Sequence, residues 1–106
     1  MRRNIQLSLA LAMAVSLAGV LSHAQSSGEA TYKAKCSMCH GDKGAADTPV
    51  AKAFKMRPLS DPAVRDQSEA KMVDAVVAGN GRMPPFQDKL TYAEIKAAVD
   101  YFRNLK

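Results

Sequence analysis

Tryptophan is absent from this 106-residue chain, and its aromatic residues are limited to three tyrosines and three phenylalanines. There are two cysteines, too few for a disulfide scaffold or for a closed four-cysteine zinc site. The length leaves no room for a TIM barrel or a two-domain dinucleotide-binding enzyme and points to one domain. The formal charge of +5 comes without the dense Lys/Arg run of a nucleic-acid-binding arm. No segment reads convincingly as a strand, which argues against folds built on a sheet. With 47% hydrophobic residues, the chain is not of a disordered class.

One long apolar run is present. Arg2 and Arg3 precede a Leu/Ala-rich, uncharged stretch from Ile5 to Val20, and Ser22-His23-Ala24 places small residues where a signal peptidase cuts. Residues 1–24 are therefore expected to be a signal peptide cleaved after Ala24, with residues 25–106 as the exported domain. The Arg2-Arg3 pair reads as ordinary export charge, and the lack of a cysteine near Ala24 argues against a lipoprotein anchor. The competing reading is an uncleaved anchor, because no charge falls between Arg3 and Glu29 and about 18 apolar residues can span a bilayer. Cleavage removes both arginines and leaves 82 residues, with 13 Lys and Arg against 10 Asp and Glu, a net +3. A domain this small buries only about 60% of its unfolded surface and needs a disulfide, metal or cofactor to hold it together.

Cys36-Ser37-Met38-Cys39-His40 supplies the candidate. C-x-x-C-H is the attachment pattern of c-type haem. Its two thiols form thioethers to the two vinyl groups along one haem edge, and the next residue turns its imidazole to the iron. His40 is the only histidine after Ala24, so no other imidazole competes. A thioredoxin-like dithiol would require a strand before the motif. A zinc site lacks a fourth Cys or His ligand, and an inert disulfide leaves His40 unexplained.

For the opposite face of the iron the mature methionines are Met38, Met56, Met72 and Met83. Met38 lies inside the attachment loop on the His40 side. Met72 falls at a core-facing helical position, and Met56 sits in a basic loop that leaves it open as a ligand. Met83 has the most suitable surroundings, Gly79-Asn80-Gly81-Arg82-Met83-Pro84-Pro85-Phe86. The glycines permit positive φ and close approach to the ring, and Pro84 forces Met83 into extended geometry with its thioether projecting. The alternative is a methionine that merely packs in a loop.

Gly28, Tyr32 and Cys36-x-x-Cys39-His40-Gly41, then Gly81-Arg82-Met83-Pro84-Pro85-Phe86, then Ala98-Val99-Asp100-Tyr101-Phe102 together resemble the class I c-type cytochromes, specifically the small c6-like bacterial branch. The resemblance covers nearly all of residues 26–106. It implies an all-α cytochrome c fold, three to four helices wrapped around one covalently attached haem c, with His40 and Met83 as axial ligands. In the family the Gly28/Tyr32 face of the first helix crosses the last helix at the position matching Tyr101. The family's proximal histidine usually donates its second ring N–H to a backbone carbonyl, often that of a proline. Pro49 and Pro58 both qualify here. The periodicity agrees with the implied helices. The first starts near Ser26 and ends in the haem motif. A middle helix starts near Asp66 or Ser68, carries Met72, Val73, Val76 and Val77, and stops at Gly79. The last opens with a Thr91/Glu94 capping box flanked by Leu90 and Ile95. Between Gly41 and Pro62 we expect irregular chain with one short helix over Val50–Phe54.

Two filled axial positions leave no open site on iron, so the expected function is electron transfer and not catalysis. A periplasmic or thylakoid-lumen-like shuttle, monomeric and without affinity for nucleic acid, is the leading expectation. A tethered electron-transfer subunit, or a haem sensor or peroxidase-like protein with a labile methionine, are the alternatives. Residues 33–57 carry Lys33, Lys35, Lys43, Lys52, Lys55 and Arg57 against Asp42 and Asp47. This basic rim would suit redox partners with an acidic docking surface, such as an oxidase, a dehydrogenase or a quinol–cytochrome c reductase.

Overall fold

The computed structural model describes residues 28–106. The expected signal peptide, the Ala24 cleavage point and the helix start near Ser26 lie outside the described residues. Helix α1 covers 28–35, and α2 (Ser37–His40) follows after a turn at Cys36. Then come α3 (Pro49–Ala53), α4 (Pro62–Arg65), α5 (Glu69–Ala78) and α6 (Tyr92–Arg103). Among the described residues there is no strand, only an isolated bridge between Asn80 and Met83, so the expected all-α class is the observed one. No helix of the described residues is long and apolar enough to cross a membrane.

Capping chemistry sets the boundaries. Thr48, Asp61, Ser68 and Thr91 each sit in extended backbone and accept a hydrogen bond from an N–H of the following first turn. Pro49 and Pro62 occupy the first helical position, where a missing N–H costs nothing. The Thr91 capping box forms in full, Glu94 Oε1 accepting from the Thr91 N–H and Thr91 Oγ1 from the Glu94 N–H. Ser68 rather than Asp66 caps the middle helix. The short α4 is the one element the hydrophobic pattern does not announce. A four-residue helix carries too little periodicity to detect, though its Asp61-Pro62 start is a readable cap signal.

The core is a seam between α5 and α6. Met72 and Val73 meet Ile95 and Val99, with Val64, Val76, Val77, Phe86, Leu90 and Phe102 packed around them. Ile95 is fully buried, and burying such a side chain contributes about 1.5–3 kcal/mol. Leu90 joins the same cluster as Ile95, as the staple around Thr91 requires. Glu69 adds exposed ion pairs to Lys96 at 3.6 Å and Arg103 at 3.8 Å, which contribute little.

Helix α1 crosses α6 through a glycine. A Cβ on Gly28 would stand 2.6 Å from the Ala97 carbonyl oxygen. One turn further along both helices, the Tyr32 ring lies 5.4 Å from that of Tyr101. The contact expected at Tyr101 is thus present, and its closest backbone approach falls at Ala97. Gly28→Ala drives a methyl into a backbone atom that cannot rotate away. We expect the loaded protein to lose about 1–3 kcal/mol of stability, measured by denaturant unfolding; an unchanged midpoint would mean that α1 can lift off α6 at no cost.

Candidate functional site

The two cysteines and His40 share a short segment, and local geometry presents all three. The chain turns at Cys36, runs through α2 and leaves it at Gly41, whose φ of 85° and ψ of 159° are essentially reserved for glycine. The Cys36 and Cys39 thiols are free and half-buried. Burial, with Cys39 nearby, pushes the Cys36 thiol up to about 11. Reactive redox dithiols show the opposite shift, and the motif follows a helix and not a strand, which together do not fit a thioredoxin-like pair. Burial alone lowers the pKa of His40. The imidazole is held neutral, the state a metal requires. Among the described residues no group of three or more His, Cys, Asp or Glu side chains converges on a point, which counts against zinc.

A second loop faces this segment. Helix α5 stops at Gly79, with φ 83° and ψ 161°. Asn80 and Met83 then exchange N–H···O bonds of 3.0 Å in both directions, and the Phe86 N–H donates to the Val76 carbonyl at 2.9 Å. This tight turn holds Met83 extended just before Pro84. The two glycines differ in purpose. A Cβ on Gly79 would meet Pro85 N at 3.0 Å and Met83 O at 3.1 Å, whereas Gly81 has open space around it and a φ of 58°. Both glycines carry a positive φ, and at Gly79 a side chain would also press on the loop itself.

Cys36, Cys39, His40 and Met83 all line one cavity of about 350 Å³. Met56 and Met72 line it too, Met72 buried within the core cluster, while Met38 is exposed. The remaining walls are mostly apolar, among them Val64, Val76, Leu90, Ile95, Val99 and Phe102. The charged lining residues are Lys35, Arg57 and Arg82, all cations, with no carboxylate among them. A haem is an apolar disc bearing two carboxylates. Two thiols, a neutral imidazole, a thioether, apolar walls and cations without anions fit that chemistry. The guanidinium of Arg82 stacks over the Phe54 ring at 4.8 Å and ties the Met83 loop to the end of α3. Of the two prolines that could orient His40, Pro58 already accepts from the Asp61 N–H at 3.0 Å, and Pro49 opens α3.

Two polar contacts beside the motif were not foreseen from the sequence, one of them made by Tyr32, which the sequence singled out for its place on the first helix. The Tyr32 hydroxyl donates to the Gly41 carbonyl at 2.6 Å, and Thr48 Oγ1 donates to the Cys39 carbonyl at 2.8 Å. Thr48-Pro49 was readable as a helix start. A tyrosine hydroxyl bonded to a backbone carbonyl has no sequence signature.

Residues 23–102 match the family model described as cytochrome c oxidase, cbb3-type, subunit III. Among solved structures, the chain is similar to KustC0563 c-type cytochrome. The two share 30% identity and a TM-score of 0.67 over 74% of this chain and 96% of that one. No curated protein matches the chain.

Tyr32 is 1% exposed, and burial, the largest cause, raises its phenol well above the ordinary value, with smaller contributions from Asp42 and Tyr101 that persist once Cys36 is a thioether. In the unfolded chain it ionises near pH 10, as tyrosines do at about that value. Above that pH the unfolded state binds fewer protons than the folded one, so stability falls as pH rises toward the raised folded value. The thermal midpoint of the loaded protein is expected to drop above about pH 10, and Tyr32→Phe to flatten that drop. Identical alkaline limbs for the two proteins would remove Tyr32 as a cause.

Proposed function

Because the chain belongs to the family described as cbb3-type cytochrome c oxidase subunit III and is a small class I c-type cytochrome carrying one covalent haem c, we propose that it is an exported one-electron carrier whose iron is held between His40 and Met83. The observation that carries this reading is the convergence of Cys36, Cys39, His40 and Met83 on one apolar cavity. When bound, the haem supplies a ferric–ferrous couple. Cys36 and Cys39 tether it through thioethers. His40, kept neutral by burial, would supply one ligand to the iron, and the turn before Pro84 would present Met83 as the other. With both ligands in place, oxygen and small substrates would find no open site, and the protein would carry electrons rather than catalyse a reaction. A thioether is a weak donor that favours the ferrous state, which sets the potential above that of a bis-histidine haem.

Residues 1–24 would direct export to the periplasm or a similar compartment, and the mature chain would act as a diffusible monomer. The second reading, a docked or tethered electron-transfer subunit, draws on the description of the matched family as an oxidase subunit.

The partner surface follows from charge. Lys33, Lys35, Lys43, Lys52, Lys55 and Arg57 are all exposed. Lys33 pairs with Glu29 at 2.7 Å and Arg57 with Asp61 at 3.8 Å. The other four have no ion-pair partner among the described residues and form a positive rim that steers an acidic redox partner.

Met83→His is expected to lower the midpoint potential with the haem still attached, while Met56→Leu leaves it in place. A potential that ignores Met83→His and moves with Met56→Leu would transfer the ligand role to Met56. The rate of reduction by an acidic partner should fall as ionic strength rises, and a rate indifferent to salt would remove the steering rim.

A further inference from the structure

His40 ends the four-residue helix α2. The carbonyls of such a helix end have no intrahelical donor and must find one elsewhere. Three consecutive carbonyls around His40 do so, each from a different part of the chain. The Cys39 carbonyl accepts from Thr48 Oγ1 at 2.8 Å, the His40 carbonyl from the Ala46 N–H at 3.0 Å, and the Gly41 carbonyl from the Tyr32 hydroxyl at 2.6 Å as well as from the Gly44 N–H at 3.1 Å.

Neither hydroxyl is free to swing. Tyr32 is fully buried, with its ring 5.4 Å from Tyr101 and 5.9 Å from Phe102. The same oxygen of Thr48 that donates to Cys39 accepts from the Ala51 N–H at 3.1 Å as the cap of α3. The peptide plane before His40 is thereby held from the start of α3 by Thr48, the plane after it by the Ala46 N–H, and the peptide that follows Gly41 by Tyr32 of α1. The Phe102 ring, its centroid 5.3 Å from that of the imidazole and inclined at 61° to it, limits ring rotation from a third side. A histidine on a four-residue helix followed by a glycine with positive φ would otherwise have a loosely defined direction.

We propose that Tyr32 and Thr48 are positioning residues for His40: their hydroxyls pin the carbonyls on either side of it and so set the plane and direction in which its imidazole meets the iron. The proposal rests on the reading of His40 as the proximal ligand. It assigns a job to two polar groups that the attachment motif does not contain. It also explains why a buried phenol is aimed at a backbone carbonyl and not at a side chain. Ligand orientation and strength govern the electronic state of a bound metal, so the effect is visible in the iron and not only in the stability of the fold.

The experiment uses the mature holoprotein labelled with ¹⁵N-histidine, in which His40 is the only histidine after Ala24. Pulsed electron paramagnetic resonance of the ferric wild type first tests the underlying reading. A strong ¹⁵N coupling identifies His40 as a ligand, and its absence overturns that assignment and the proposal with it. The g-values and midpoint potential are then compared across Tyr32→Phe, Thr48→Val, the double variant and Thr48→Ser. The ¹⁵N coupling is expected to persist in all of them. The g-anisotropy and potential should shift in Tyr32→Phe and in Thr48→Val, shift further in the double variant, and stay at wild-type values in Thr48→Ser, which retains the donor. Wild-type g-values and potential in both single variants, with the coupling intact, would overturn the positioning role and leave the hydroxyls as fold-stabilising groups alone. Tyr32→Phe keeps the ring that packs on Tyr101 and Phe102, so it reads the hydroxyl even if the loss of the α3 cap prevents Thr48→Val from folding.

Discussion

Helices α5 and α6 must pack against each other along one edge while keeping an apolar cavity open along the other, and the rest of the structure depends on that double requirement. Met72, Ile95, Val99 and Phe102 belong both to the core cluster and to the cavity wall. A protein interior is close-packed, so these side chains cannot serve either purpose without constraining the other. The haem is in this sense part of the core. The domain has no disulfide and no converging metal ligands among its described residues, and the covalent cofactor is the staple that its size demands.

The short elements follow from that arrangement. The attachment segment enters the cavity from the α1 side and the Met83 loop from the α5 side, and both end their helices at a glycine with φ near 85° and ψ near 160°. This conformation, essentially closed to residues with a Cβ, ends each helix abruptly, and after Gly79 the chain brings Asn80, Arg82 and Met83 to the cavity. Arg82 over Phe54 links the distal loop to α3, and Thr48 links α3 to the attachment segment. A continuous set of contacts therefore runs around the cavity rim. Lys35, Lys43, Lys52 and Lys55 are exposed, and Lys35, Arg57 and Arg82 line the cavity. In the proposed reading, one charge sign would serve both the carboxylates of the cofactor and an acidic docking surface.

The attachment motif, the last helix with its capping box and the stop of the middle helix at Gly79 were all legible in the sequence. Each is a local pattern whose physics is completed within a few residues. Cys36, Cys39 and His40 are adjacent, and Thr91 and Glu94 satisfy one another across one turn. Helix α4 was not legible as an element, because four residues cannot establish a period. Local chemistry favours Met83 over Met56 and Met72 as the ligand, but position in the fold does not separate the three, since all line the same cavity.

The sequence by itself determined the covalent chemistry, the helical class and the cofactor, because those depend on residue types at short, fixed spacings. Tertiary structure alone decided which distant groups surround the motif. Tyr32 reaches Gly41, Thr48 reaches Cys39, and Arg82 reaches Phe54 across separations that no period encodes. Gly28 was readable as a crossing point, but its contact at the Ala97 carbonyl required the register of α1 on α6. That register is set by how the aromatic rings of Tyr32, Tyr101 and Phe102 fill the space between the two helices, and packing of that kind exists only once the chain has folded.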